Sequence, residues 1–436
     1  MTPKLTERAE DLWDDSPSCR TIGRIRESSG IIIESVGPQA ARGDLCYVTQ
    51  EDGERIPAEV VGFEDNILKL MPVGEMQGIS SDSRVISTGD PYRIKVGDHL
   101  LGRVLDGRGE PMDAGPPLTQ GTPMPIYREP PSSLHRQRIE SPIATGVRAI
   151  DGCLTLGRGQ RIGIFSGSGV GKSTLMGMIA RFTEADVNVI ALVGERRREV
   201  RDFIDKNLTQ EAKKRTVMVA ATSDQPPLVR LRAAFLATTI AEYFRDEGAD
   251  VMLLMDSVTR VARAQREIGL AAGEPAANRG YPPSVFAMMP QLLERSGAGE
   301  VGTITAIYTI LVEGDDLNEP ISDTARGILD GHIALDRDLA ARNHYPAIDV
   351  MESVSRVMDD VIEDEHAEVA GELKEVVATY RDAEDLINIG AYEEGSNPNI
   401  DYALDHIEDI NDFLQQGINE SSTYDETVNQ LISIFQ

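Results

Sequence analysis

Lysine is nearly missing from this chain. Its 436 residues hold eight lysines against 35 arginines, and all the basic groups together face 72 acidic ones, for a formal charge of −29. Such a field repels phosphate backbones, which excludes a generic nucleic-acid or anionic-membrane binder. Acid excess with few lysines is the pattern of proteins from a high-salt cytoplasm. Molar salt shortens the Debye length to about 3 Å, which makes the self-repulsion tolerable. The chain is therefore expected to lose structure in dilute buffer and regain it at molar salt. Circular dichroism showing full stability in dilute buffer would remove that reading.

Cysteine is scarce too. Cys19, Cys46 and Cys153 form no CxxC pair, and the count is odd. That fits a reducing compartment and excludes a zinc ribbon. The six histidines form no HExxH. No apolar run approaches the roughly 18 residues a membrane span needs; the longest clean stretch, near Gly302–Val312, is too short. The start, MTPKLTERAEDLWDD, has no apolar core of a signal peptide. A cytoplasmic chain is expected, with peripheral contact at the inner face of the membrane at most. At about 150 residues per domain, the length allows two to four domains.

What is present falls into zones. Residues 1–95 read as short strands with regular turns, among them RTIGRIRESSGIIIESVG, DLCYVTQ, RIPAEVVGF and NILKLMPV, which suggests a small barrel or sandwich. The polar first 20 residues are expected to form a frayed helix. Residues 96–358 begin with a Pro-rich linker, EPMDAGPPLTQGTPMPIYREPPSS, expected to be extended and rich in turns. They continue with the near-continuous apolar runs RIGIF, VIALVG, TVMVAAT, VMLLMD and TITAIYTILV, separated by helical stretches. That pattern predicts a parallel sheet covered on both faces. Residues 359–436 are acidic, and their apolar residues recur at helical spacing.

The strongest chemical signal is Ser166-Gly167-Ser168-Gly169-Val170-Gly171-Lys172-Ser173, set between the strand run RIGIF and the helical run TLMGMIARF. Strand, glycine-rich loop and helix in that order form a polyphosphate cradle. Glycines let backbone N–H groups turn inward, and the helix N-terminus adds partial positive charge. Lys172 is placed to reach the β and γ oxygens of a nucleotide, with the Ser173 hydroxyl on Mg²⁺. The binding set runs from Ser166 through Gly167, Ser168, Gly169, Val170, Gly171, Lys172 and Ser173 to Thr174. The strict motif has glycine where Ser166 stands; Gly167 and Gly169 are expected to supply the flexibility.

Asp256 closes the apolar strand VMLLMD. A carboxylate at the carboxyl end of a buried parallel strand lies where open α/β sheets bind ligands, and it is expected to hold Mg²⁺ through water. Glu195 follows another strand, in GERRRE. A carboxylate there can orient a water toward the γ-phosphate and accept its proton. Glu199 is the second choice for that base; the competing reading is a helix-terminal acid on the dipole. Arginine also stabilises phosphoryl-transfer transition states, but spacing alone does not pick one.

Several stretches together resemble one family. GSGVGKS, GERRREVRDFI, MDSVTRVARAQREIGLAAGEP, RGYPPSVFAMMPQLLER, VEGDDLNEPISD, RGILDGHIAL and YPAIDVMESVSRVM are similar to segments of the flagellar and type III secretion export ATPases, relatives of the rotary ATP synthase subunits. The resemblance implies an N-terminal six-stranded β-barrel, a central RecA-like P-loop core and a C-terminal α-helical domain. It implies a homohexamer with ATP sites between subunits, export-gate or stalk partners, and exported proteins as clients. It makes Lys172 and Glu195 catalytic, sets Arg196 beside the phosphates, makes Asp256 the Walker-B acid and makes Arg356 the arginine finger given to a neighbour's site.

The chain departs from the family at Ser166, usually Ala or Gly, and at Arg197, usually small, where an extra cation is expected to retune hydrolysis. It also has Ala367 after Glu365-His366, where the synthase β subunit has its adenine-stacking Tyr, so the adenine contact is left open. A rotary synthase or ion-pump subunit, an RNA-translocating ring and a nucleotide-binding subunit with a dead site are the competing readings. The stretch LAAGEPAANRGYPPSVF and the lack of a large insertion favour the export branch. Few aromatics and many acids in residues 1–95 disfavour an RNA ring.

Overall fold

A computed structural model describes residues 22–50, 53–74, 76–132, 134, 136–312, 314, 316 and 318–436. The expected helix in the first 20 residues lies outside the described residues. The chain divides into two compact units, Met1–Tyr92 and Arg93–Gln436.

The first unit is a closed barrel of strands β1 (Ile22–Ser29), β2 (Ile32–Val36), β3 (Asp44–Thr49), β4 (Arg55–Glu64), β5 (Ile67–Pro72) and β6 (Arg84–Pro91), in the order β1-β2-β5-β4-β3-β6. Closure leaves no sheet edge to pair with another chain. Inward residues such as Ile33, Val48, Ala58, Val60, Leu70 and Val85 fill it. The β4–β5 hairpin turns on Asp65 (φ 46°) and Asn66 (φ 65°). Asp and Asn tolerate the left-handed backbone that a two-residue hairpin demands.

The second unit opens with a two-stranded ribbon of β7 (Arg93–Val96) and β9 (Thr122–Pro125). So the Pro-rich segment is not only extended linker. Its TPMP stretch pairs, which prolines allow at a sheet edge and which their presence hides from a pattern reading. Among the described residues the main sheet has nine strands. Its path is β17 (Ile348–Ser355), β16 (Gly331–Leu335), β10 (Arg161–Ser166), β15 (Thr303–Leu311), β13 (Asp250–Asp256), β11 (Val187–Glu195), β12 (Thr216–Thr222) and β8 (Val104–Asp106), with β14 (Gly297–Ala298) paired to β15. β10, β11, β12, β13, β15 and β16 pair in parallel, as their apolar runs imply, and β11 and β12 are buried along their whole length. β17 departs from the all-parallel expectation and runs antiparallel to β16. It is an edge strand, buried over Ile348–Val350 and only partly buried toward Ser355, which an edge position permits.

The helices Asp364–Asn388, Pro398–Leu414 and Tyr424–Ile434 follow. Their Leu373, Val376, Val377, Ile410, Phe413 and Leu431 join the same buried cluster as Ile150, Leu175 and Ile164. The helical end therefore shares one continuous apolar core with the sheet. Burying a large aliphatic side chain is worth about 1.5–3 kcal/mol, so these contacts fix its place.

Candidate active site

The carboxyl ends of β10, β11 and β13 gather the chemistry. β10 ends at Ser166, and the loop climbs to exposed Ser168 and Gly169, then turns into the helix Lys172–Phe182. Gly169 (φ 85°) and Gly171 (φ 94°) both take the left-handed backbone, which glycine adopts without strain. Gly171 also lies against Tyr345: a Cβ there would sit 3.5 Å from the ring, in ordinary contact. Ser173 is exposed in the first turn of the helix, and buried Val170 anchors the loop. The buried Ser166 hydroxyl has no hydrogen-bond partner among the described residues. It lines a cavity of about 320 Å³ shared with Asp336 and Asp349.

Lys172 Nζ donates to Asp256 Oδ1 at 2.6 Å, and the Thr309 hydroxyl donates to the same oxygen at 2.7 Å. Asp256 is buried at the end of β13. Both bonds fall on Oδ1, so Oδ2 is left for other partners.

Leu192 pairs with Asp256, which sets Glu195 further out along the carboxyl edge. A bulge between Val193 and Glu195, with Gly194 at φ 73°, turns the strand there. Bulges of this kind re-aim a side chain beside a site. Arg260 Nη2 donates to Glu195 Oε2 at 3.1 Å, and Arg260 Nη1 donates to the Gly194 carbonyl. Burial, a shared hydrogen bond with Glu199 and the Asp256 charge push Glu195 up to about 8, against the pull of Arg260 and Lys172. A carboxyl poised there is a proton acceptor suited to near-neutral pH.

Glu199 has a different task. It receives the Arg196 backbone N–H at 3.2 Å and the Arg196 guanidinium at 2.9 Å. It sits in the first turn of the helix Arg197–Asp202, where an acid complements the dipole. Arg196 and Arg197 are exposed. Arg197 pairs with Asp224 at 2.6 Å and makes no bond to Glu195, so its charge is already answered.

Arg356 stands apart. Ser166 pairs with Leu335 at one end of β16, whereas Gly331 at the other end pairs with Ser355. The antiparallel turn of the last strand thus carries Arg356 to the amino edge of the sheet. Its backbone N–H binds the Asp330 carbonyl at 3.0 Å and its guanidinium the Leu329 carbonyl at 3.3 Å. A strand length of about 13 Å, at roughly 3.3 Å per residue, separates the two edges. The Arg356 guanidinium therefore lies about a strand's length from its own chain's loop.

Sequence reading missed two features. Arg260 was one arginine among many; only the sheet order shows that its helix starts beside Glu195. The second is a cavity of about 530 Å³ beside the loop, walled by Leu175, Met178, Tyr345, Pro346, Gln416 and Ile418. Its residues come from the β16–β17 connection and from the end of the helical segment, far apart in sequence. His366, which precedes Ala367, is buried against the Gly152 carbonyl (2.7 Å) and the Tyr424 hydroxyl (3.2 Å).

Barrel, P-loop sheet and helical end define a nucleotide-binding ATPase subunit of the alpha/beta type. The family model of the ATP synthase alpha/beta nucleotide-binding domain matches residues 146–355, that of its beta-barrel domain residues 25–89, and that of the T3SS EscN ATPase C-terminal domain residues 362–433. The chain is 53% identical over 432 residues to the flagellum-specific ATP synthase of Bacillus subtilis strain 168, covering 98% of each chain. It is 50% identical over 416 residues to the type 3 secretion system ATPase of Xanthomonas euvesicatoria, covering 95% of this chain and 94% of that one. The structure of the assembled ATPase EscN from the enteropathogenic E. coli type III secretion system superposes with a TM-score of 0.90 at 47% identity, over 95% of this chain and all of that one. The chain belongs to the flagellar and type III secretion ATPases of the ATP synthase alpha/beta family. These relatives do not favour the rotary-synthase or RNA-ring alternatives.

Proposed function

We propose that the chain hydrolyses Mg-ATP as one subunit of a homohexameric ring and energises protein export of the flagellar or type III secretion kind. One observation carries this: the Lys172–Asp256 pair at 2.6 Å lies below Glu195 on one edge of the sheet, with Arg356 on the other. A ring is the arrangement that brings one subunit's arginine edge to the next subunit's loop.

In this reading the loop N–H groups from Gly167 to Ser173 hold the triphosphate, with Thr174 at the mouth of the larger cavity, and Lys172 leaves Asp256 for the phosphate oxygens. Ser173 Oγ and, through water, Asp256 would hold Mg²⁺, which would supply charge neutralisation to the phosphates when bound. The donor set fits a hard cation that keeps its waters. Glu195 orients the attacking water and accepts its proton, with Arg260 holding the carboxylate and Arg196 nearby. The cavity beside Tyr345 takes the nucleoside.

An EscN structure contains its central stalk EscO, with a TM-score of 0.88 to this chain. We extend that to a stalk partner here, with an export gate and exported proteins as further partners at the cytoplasmic face of the membrane. Among the described residues no helix is long and apolar enough to cross a bilayer.

Lys172→Ala is expected to abolish ATP binding, read by titration calorimetry, and turnover with it. Retained binding by that variant would sink the assignment of the loop.

A further inference from the structure

We propose that Gln416 is a positioning residue that holds the two walls of the nucleoside cavity at the spacing a base needs. The inference rests on the reading that the base occupies the cavity beside Tyr345.

The cavity's walls belong to segments with no covalent reason to stay together. One is the Tyr345–Ala347 connection; the other is the Gln415–Ile418 stretch after the helix Pro398–Leu414. Gln416 joins them. Its backbone N–H donates to the Tyr345 carbonyl at 2.9 Å. Its side chain, buried, reaches a third segment: Oε1 accepts from the Arg148 N–H at 2.8 Å, and Nε2 donates to the Gly146 carbonyl at 2.8 Å. Nε2 also donates to the Glu420 carbonyl at 2.8 Å. The amide's orientation is fixed by these partners, since a flip would set N–H against N–H and oxygen against two carbonyls.

The third segment leads back to the phosphate end. Gly146 packs on the last turn of the P-loop helix so closely that a Cβ there would lie 2.3 Å from Phe182 Cβ. Arg181 of that helix donates to the Ile418 carbonyl at 2.5 Å. Arg148 donates to the Phe413 carbonyl at 2.9 Å, to the Gln415 carbonyl and to the Glu420 carboxylate. It thereby satisfies carbonyls that a helix end leaves orphaned. With both ends of its amide engaged, Gln416 has no donor left to read a base edge. Its contribution is geometric: Tyr345, Leu175, Met178 and Ile418 grip the ring only while the walls stay at this separation.

Gln416→Met keeps length and bulk and removes the amide. The probes are Mg-ADP and inorganic tripolyphosphate, which carries the phosphates without a base. Mg-ADP is expected to bind about tenfold more weakly, roughly the net worth of a single hydrogen bond. Tripolyphosphate inhibition should stay within about twofold, and KM for ATP should rise at nearly constant kcat. Unchanged ADP affinity, or equal losses for both probes with a lower unfolding midpoint, would overturn the proposal. Tyr345→Ala separates the levels. If it leaves ADP affinity intact, the base lies elsewhere and the underlying reading fails. If it weakens ADP while Gln416→Met does not, the cavity reading stands and the clamp alone falls.

Discussion

Glu195→Gln is expected to bind Mg-ATP about as well as the parent chain and to turn it over about 10³-fold more slowly, the usual scale of a lost general base. The amide keeps the shape and still accepts from Arg260, so the bulge at Gly194 and the neighbouring Asp256 should not move. Only the capacity to take a proton is lost. A pH profile sharpens the test. Because Glu195 is pushed up to about 8, kcat/KM of the parent should climb through that pH as the carboxyl ionises. The variant should lack this limb. Stability moves the other way. A carboxyl raised above its ordinary value favours the fold below that value, and the advantage fades as pH rises toward 8. Above that pH the glutamine variant should therefore melt at a higher temperature than the parent. Near-normal turnover in the variant would move the base to another residue.

Arg356→Ala should cost about 10³-fold or more in kcat, the range found for arginine fingers, and leave nucleotide affinity largely intact. The decisive experiment mixes two silent proteins. Arg356→Ala subunits keep a whole loop, and Lys172→Ala subunits keep a whole finger. Where a loop from the first meets an edge from the second, a complete site returns, so mixed rings should regain part of the activity. The β16–β17 register already denies a contact within one chain. Absence of rescue, in rings shown by mass to be mixed, would leave the Arg356 side chain with a structural task at the Leu329 carbonyl.

Much of this was legible in the residues because the signals are local. The loop from Ser166 to Ser173 announces itself by glycine spacing between a strand and a helix, and Asp256 and Glu195 by their place at the ends of apolar runs. Buried parallel strands must be apolar throughout, so the sheet was visible before its order was. What stayed hidden depends on distant pairing. β8 is three residues long and reads as loop until β12 lies beside it. β9 is masked by its prolines. The direction of β17 cannot be read from composition, since its run Ile348-Asp349-Val350 suits an edge strand of either sense. The larger cavity beside the loop takes one wall from Tyr345 and the other from Gln416, which no spacing rule connects. Resemblance supplied Arg356, but only the register shows that it lies at the edge opposite its own chain's loop.

The reversed final strand has a consequence for the cell. If the proposed roles hold, a newly made chain would carry fuel and base at one rim and the igniting cation at the far rim, and would be nearly idle until a sibling docks. Free subunits, however abundant, would leave the ATP supply untouched. Hydrolysis would begin only at the place and moment of assembly, making local concentration the switch.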